Sequence, residues 1–360
     1  MLLGIGFKVI LVSTVLLGVL VPSRARMLAV RGAPLEIRDG VFANHPVIGL
    51  IRPLAWLLDL LIDRAGTTSA SERRLTNIAT SLAFVALLSA FAVIPFGSRY
   101  RLGEREIALV VADLDWGILW LLGAAMLALF GAIGSVRKAS RRVPLAIEGA
   151  SYALGAGLAL AALAMVFGTL NPTTMVVAQD QNFLLVDFVG PALPALQRLQ
   201  LPAWGVFFQP VSLLLFVFCA LGASRAPLSE SQIEPGPHDS GATQLLVRVA
   251  DHLGSLLVAG VIVVLFFGGG ALPYVAGDTI IRIIGDYFGT GLATILCMAI
   301  HTSVFFAKLM LVTIAIEPLR LRLARLSFEA TLNRCWKGII PLAVVNLFVT
   351  AEVVLASITP

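Results

Sequence analysis

Three small groups of residues in this sequence have the types and spacing to move protons or to order a polar loop. Asp251 stands in the opening turns of an apolar run at 249–271. Ionisable residues in such runs are rare and usually face the protein interior, which makes Asp251 a candidate proton-relay carboxylate. The dipole of a helix also favours an aspartate near its N-terminus, so an interfacial role stays open. His252 cannot be its close partner, because adjacent helical side chains diverge. Glu148 and Tyr152 are spaced i, i+4 where the run 149–170 begins, so they share a face. They form a second candidate relay pair, with a dipole partnership as the alternative for Glu148. The third group is Arg225, followed by Glu230, Glu234 and Asp239. Charge-assisted bonds from the guanidinium would order that loop; a plain topology anchor is the other reading.

The elements that carry these groups follow from composition. The chain has 360 residues, 58% hydrophobic and 13% charged, with a mean hydropathy of +0.94. Soluble domains carry about 25% charged residues, so a polytopic membrane protein is expected. A span needs about 20 mostly apolar residues. Eight stretches qualify, at 4–21, 77–97, 117–135, 149–170, 204–223, 249–271, 289–316 and 338–357. Backbone groups in lipid must bond within their own segment, so the expected fold is all-α, a single membrane domain over 1–360 with eight transmembrane helices. Residues 46–64 are apolar but broken by Arg52, Pro53, Asp59 and Asp63, and read as an amphipathic segment along the interface.

Arginine and lysine crowd the loops 22–76, 136–148 and 317–337, whereas 172–203 and 272–288 hold one Arg each. Basic loops stay cytoplasmic. With eight spans this puts both termini on the outer side of the cytoplasmic membrane and the polar loop 224–248 inside. Arg99, Arg101 and Arg105 in the loop 98–116 are a mild exception. Residues 1–22 read as a span rather than a signal peptide, which would leave the basic segment 23–76 outside. Asp113 and Asp115 belong near the outer interface, where acids favour the start of the following helix.

The net charge of +5 points to neither nucleic acid nor an acidic partner. Cys219, Cys297 and Cys335 have no paired spacing, and the four histidines are scattered singly, so no metal or iron–sulfur site is expected in this chain. Gly268–Gly270 before Pro273 ends a helix; it is not a phosphate loop. Lys308 sits well inside the run 289–316. Away from an interface it must face neighbouring helices or a polar axis.

Several strings together resemble the H-type membrane subunit of respiratory complex I, the NADH:quinone oxidoreductase. They are "RPLAW" (52–56), "AVIPFG" (92–97), "VADLDWGILWLLGAAMLALFGAIGSV" (111–136), "SY" (151–152), "SRAP" (224–227) with "SG" (240–241), and "WKGIIPLAVVNLFVTA" (336–351). Their order and spacing follow the family over nearly the whole chain. The resemblance implies eight spans, a place at the heel of a membrane arm, and a quinone chamber shared with a soluble partner at the cytoplasmic side. Partners would be other membrane-arm subunits and iron–sulfur-bearing peripheral-arm subunits. It places Arg24, Arg26, Arg225, Pro227 and Leu228 at the chamber and makes Glu230, Glu234 and Asp239 the remnant of an acidic loop. For Arg24 and Arg26, contact with anionic lipid is an equal explanation.

The chain departs from the family where ionisable groups are usual. The family's Ser-Tyr-Glu is Ser151-Tyr152-Ala153 here. Its Glu-(Thr/Arg)-Asn-Arg-Ala-Pro-Phe-Asp is Gly222-Ala223-Ser224-Arg225-Ala226-Pro227-Leu228-Ser229, so both acids are gone. Its Ala-Glu-Tyr is Ala250-Asp251-His252. The expected function is a membrane subunit of a complex-I-like oxidoreductase that helps form the quinone chamber and links redox chemistry to proton translocation. The alternative is a structural anchor of a complex-I-related or hydrogenase-type assembly that has lost the usual proton path. A small-molecule transporter would show inverted repeats or broken helices around a midplane site.

Overall fold

The computed structural model describes residues 70–102, 104–134, 139–184, 200–225, 241–323 and 326–358. The run 4–21, the amphipathic segment 46–64 and most of the polar loop 224–248 lie outside them. The described residues are mainly helical. Helices α1 (Ala70–Phe91), α2 (Gly117–Gly134), α3 (Ala139–Phe167), α6 (Pro210–Arg225), α7 (Gly241–Phe266), α9 (Thr290–Leu323) and α11 (Ile340–Ile358) form the bundle. Between them lie hairpin β1 (Arg99–Leu102) and β2 (Arg105–Ala108), helix α4 (Pro172–Gln179), strands β3 (Asn182–Leu184) and β4 (Gln200–Pro202), helix α5 (Gly205–Phe208), helix α8 (Gly277–Phe288) and helix α10 (Phe328–Arg334). Both two-stranded sheets are antiparallel, with Tyr100 opposite Ile107 and Phe183 opposite Leu201. A π-helical turn at Cys335–Ile339 joins α10 to α11.

Among the described residues, four apolar stretches of helix are long enough to cross a membrane, at Gly117–Gly134, Arg142–Phe167, Thr290–Arg320 and Phe328–Ala356. Ile78–Phe91, Pro210–Ala223 and His252–Phe266 are shorter apolar helices. Helices of this length and composition make the chain an integral membrane protein.

The bundle pairs α1 with α2, α3 with α6 and α11, and packs α7 across α1 and α9. Small residues let the backbones approach: a Cβ at Gly131 on α2 would stand 2.5 Å from the Ala79 carbonyl oxygen of α1. In lipid such close packing replaces the hydrophobic drive between helices. A polar network ties α6 to α11. Gln209 Nε2 donates to Thr350 Oγ1 at 2.8 Å, and Asn346 Nδ2 donates to Ser212 Oγ at 2.9 Å. Ser212 Oγ in turn donates to Gln209 Oε1 at 2.9 Å.

The glycine run after α7 is the helix stop its sequence suggests. Gly268 and Gly269 have φ of 69° and 56°, and the Gly269 N–H reaches back to the Val263 carbonyl at 2.8 Å. A side chain there would be strained, which is why glycine ends the helix. The carbonyls this turn exposes are met by Lys308. Its ammonium donates to Phe267 O, Gly269 O and Ala271 O at 2.7, 3.1 and 2.6 Å, and lies 4.3 Å from the Trp204 ring centroid. The lysine inside the apolar run therefore faces a neighbouring helix end, with all three of its donors used.

Several details differ from the sequence expectation. Helices α3 and α7 begin at Ala139 and Gly241, before the runs 149–170 and 249–271, so neither Glu148 nor Asp251 stands in the first turn of its helix. Helix α8 occupies most of what reads as a loop at 272–288. Asp113 does not serve the start of α2: it accepts from Arg99 Nη2 at 2.9 Å and from Asn171 Nδ2 at 2.9 Å. Asn171 also caps α4, its Oδ1 accepting from the N–H groups of Thr173 and Thr174. The Arg99–Asp113 pair closes the β1–β2 hairpin against the start of α4. It also gives one of the exceptional arginines of that loop a local counter-charge.

Candidate functional site

The candidate site lies at the end of the bundle where α6 and α9 finish and α3 and α7 begin. Helix α3 presents Glu148, Ser151 and Tyr152 within little more than one turn. Both Glu148 and Tyr152 are buried, the tyrosine completely. Their i, i+4 spacing puts them on one stripe of the helix. Ser151 donates to the Ile147 carbonyl at 2.8 Å and accepts from Trp336 Nε1 at 3.1 Å. That bond joins α3 to the π-helical turn that leads into α11.

Helix α6 meets α3 through residues with little or no side chain. An ideal Cβ on Gly222 would overlap Cε1 and Cζ of Tyr152, so the tyrosine ring fills the space a side chain at 222 would need. One turn earlier on α6, Phe218 lies 6.2 Å from the Tyr152 ring, centroid to centroid. On α3 the ideal Cβ of Gly155 would fall 2.6 Å from Cys219 Sγ of α6. Position 222 is thus occupied by an aromatic ring from the facing helix.

Beside this contact a cavity of about 160 Å³ opens between α1, α2, α3, α6 and α7. Every one of the described residues that lines it is apolar. Ala153 and Ala156 come from α3, Ala220 and Ala223 from α6, and Ala250 and Gly254 from α7. Ala153 is one of the positions where the sequence lacks an expected acid. The side chains of these lining residues offer a water no hydrogen-bond partner.

Of the residues singled out in the sequence, Glu148 and Tyr152 are brought together on α3. Arg225 is the last residue of α6, and Asp251 belongs to α7 one position beyond the cavity-lining Ala250. Arg24, Arg26, Pro227, Leu228, Glu230, Glu234 and Asp239 lie outside the described residues. Sequence reasoning missed the Ser151–Trp336 bond and the seat of Tyr152 against Gly222. The strings "SY" and "WKG" point at both ends of the first, but not at their contact across 185 residues. Among the described residues no group of three or more His, Cys, Asp or Glu is placed to hold a metal ion. Cys219, Cys297 and Cys335 are buried free thiols.

With this geometry in place, the comparisons with known proteins become specific. The sequence model of the family described as NADH dehydrogenase matches residues 8–351. The H-type NADH-quinone oxidoreductase subunit numbered 1 in Cytophaga hutchinsonii is 24% identical, over 97% of this chain and 96% of the relative. The H-type subunit of the same enzyme in Bdellovibrio bacteriovorus is 29% identical, over 85% of each chain. The H-type subunit numbered 2 in Syntrophobacter fumaroxidans is 28% identical, over 90% of this chain and 88% of the relative.

Proposed function

The chain belongs to the NADH dehydrogenase family, and on that premise we propose that it is the membrane subunit of a complex-I-type oxidoreductase that seats quinone against a soluble partner. The observation that carries the reading is the end-to-end match, over residues 8–351, to a family whose relatives are H-type subunits of NADH-quinone oxidoreductase. In this reading eight helices cross the cytoplasmic membrane, with both termini outside and the basic loops inside. Arg24, Arg26, Arg225, Pro227 and Leu228 border the quinone chamber, and Glu230, Glu234 and Asp239 order the loop that faces the peripheral arm. Electrons reach the quinone through iron–sulfur centres in partner subunits, since this chain's three cysteines are too few and too scattered to hold a cluster.

Charge changes in the chamber would enter the membrane arm through Glu148, Tyr152 and Asp251. Glu148 and Tyr152 supply a buried carboxylate and a phenol from the third and fourth turns of α3. A carboxylate is kept in such a place only where neighbouring polar groups compensate its lost hydration.

A second reading is favoured by the all-apolar cavity beside Ala153 and by the Tyr152 ring against Gly222. Together they support an anchor subunit whose carboxylate path through α3, α6 and α7 has been replaced by apolar packing. Both readings require the same assembly. Affinity purification of the tagged chain in mild detergent should bring down iron–sulfur-bearing subunits with quinone reductase activity. Isolation of the chain alone would refute both and return an independent transporter to consideration.

A further inference from the structure

At the opposite end of the bundle, where α3 and α7 finish and α2 and α9 begin, a second group of titratable side chains converges on one glycine. If Gly277, the first residue of α8, carried a Cβ, that atom would stand 3.1 Å from Asp180 Oδ2, 3.1 Å from His301 Cε1 and 3.8 Å from Cys297 Sγ. Asp180 follows α4, His301 and Cys297 belong to α9, and the three are brought together only by the fold. Asp180 Oδ2 accepts from the Gly277 N–H at 3.3 Å, but its second oxygen, Oδ1, is buried with no hydrogen-bond partner among the described residues. A buried carboxylate oxygen left in this state is costly.

The tautomer of His301 follows from its neighbour. Tyr100 Oη lies 2.5 Å from His301 Nδ1, both groups buried. Burial holds the phenol well above its usual range, so it stays protonated and its O–H is available to His301 Nδ1. The phenol must therefore donate to Nδ1. The imidazole proton then sits on Nε2, the nitrogen that lies 4.0 Å from Cys297 Sγ on the Gly277 side. Cys297 Sγ, the other polar atom there, turns to the Gly277 carbonyl at 3.7 Å.

We propose that Asp180 and His301 form a proton-binding site around Gly277, in which one water accepts from His301 Nε2 and donates to Asp180 Oδ1. The site is separate from Glu148 and Tyr152, which lie at the other end of the bundle. A proton arriving on the water passes to Asp180 Oδ1, giving a neutral carboxylic acid. The water is left neutral and His301 keeps its Nε2–H. Tyr100 is a positioning residue, because it fixes which imidazole nitrogen faces the water.

The charged surroundings suit such a role. Burial pushes the Asp180 carboxyl up to about 6; the Gly277 N–H opposes this, Asp278 at the start of α8 adds to it and the Lys308 ammonium on α9 opposes it. Cys297, His301 and Tyr100 complete the titratable groups that face it from α9 and β1. Lys308 is held by three carbonyls, so it acts on Asp180 as a fixed charge rather than as a direct partner.

The test is infrared titration of the Asp180 carboxyl in the full chain, purified in mild detergent. Its band is assigned as the one lost in Asp180→Asn. The wild-type midpoint should lie near 6 rather than near the ordinary aspartate value of about 4. Tyr100→Phe keeps the ring but releases the tautomer, and His301→Phe removes the Nε2 donor. Each should raise the midpoint by about one pH unit or more, because the carboxylate loses its hydrogen-bonded water. Gly277→Ala should do the same by filling the space where the groups converge. A wild-type midpoint near 4, or a midpoint near 6 unmoved by Tyr100→Phe and His301→Phe, would overturn the proposal and reduce Asp180 to a cap on the Gly277 N–H.

Discussion

Tyr152 of α3 occupies the place that a side chain at position 222 of α6 would need, with its Cε1 and Cζ where the ideal Cβ of Gly222 would press. The glycine and the tyrosine are therefore one packing unit. Position 222, where the resemblance would place an acid, has no room for a side chain while the ring is seated there. A carboxylate could return to 222 only if the ring moved.

This relationship gives a direct stability prediction. Gly222→Ala should destabilise the protein by about 1–3 kcal/mol, the usual cost of overfilling a packed interior. Tyr152→Ala in the same chain should recover part of that loss, so the two substitutions should be non-additive in a double-mutant cycle read by thermal unfolding in detergent. Additive effects would mean that the two residues do not share the space.

Asp180 sets a pH dependence whose sign can be fixed in advance. Its carboxyl rises from an ordinary value of 3.8 to about 6 in the folded protein, mainly through burial. Between those values the folded state binds more protons than the unfolded one, so stability falls as pH rises through the window from about 4 to about 6. Asp180→Asn should flatten the unfolding profile in that window and raise stability at neutral pH. An unchanged profile would mean that folding does not shift the titration of this carboxyl.

Asp251 separates the two readings of coupling. In the assembled complex, Asp251→Asn should abolish pumping with assembly intact if protons pass through α7. Pumping at the wild-type level would favour the anchor reading, in which the apolar cavity beside Ala153 blocks that route. An isolated charge in hydrocarbon is too costly for any path that lacks closely spaced polar groups.

Topology is testable independently. Cysteines placed at Ser71 and Ser231 should react only with reagent supplied from the cytoplasmic side, because the basic excess flanks Ser71 and the alternation of eight spans puts the loop of Ser231 on the same side. The native thiols Cys219, Cys297 and Cys335 are buried and give little background. Labelling of either position from outside would invert the arrangement.

The elements that depend on local composition were legible in the sequence, and those that depend on distant contacts were not. The run 117–135 is the helix Gly117–Gly134, because an apolar stretch of that length has few alternatives. The glycines at 268–270 announced the end of α7, but not that Lys308, 37 to 41 residues on, would take up the carbonyls of that turn. Helix α8 was hidden because it is short and its polar residues read as loop. The missing acids at 153 and 222 could be counted, yet only the fold shows a ring against one and an apolar cavity beside the other. His301 looked like a scattered histidine; its partner Tyr100 comes from 201 positions away, and Asp180, which faces the same glycine, from 121 positions away.

The most direct test of the central claim is labelling of the assembled complex with a photoreactive quinone analogue. A subunit that seats quinone should be labelled in this chain near Arg225–Leu228, native quinone should compete the label away, and Arg225→Ala should weaken it while the partner subunits still co-purify. Label confined to other subunits, with this chain untouched in an active complex, would contradict the account.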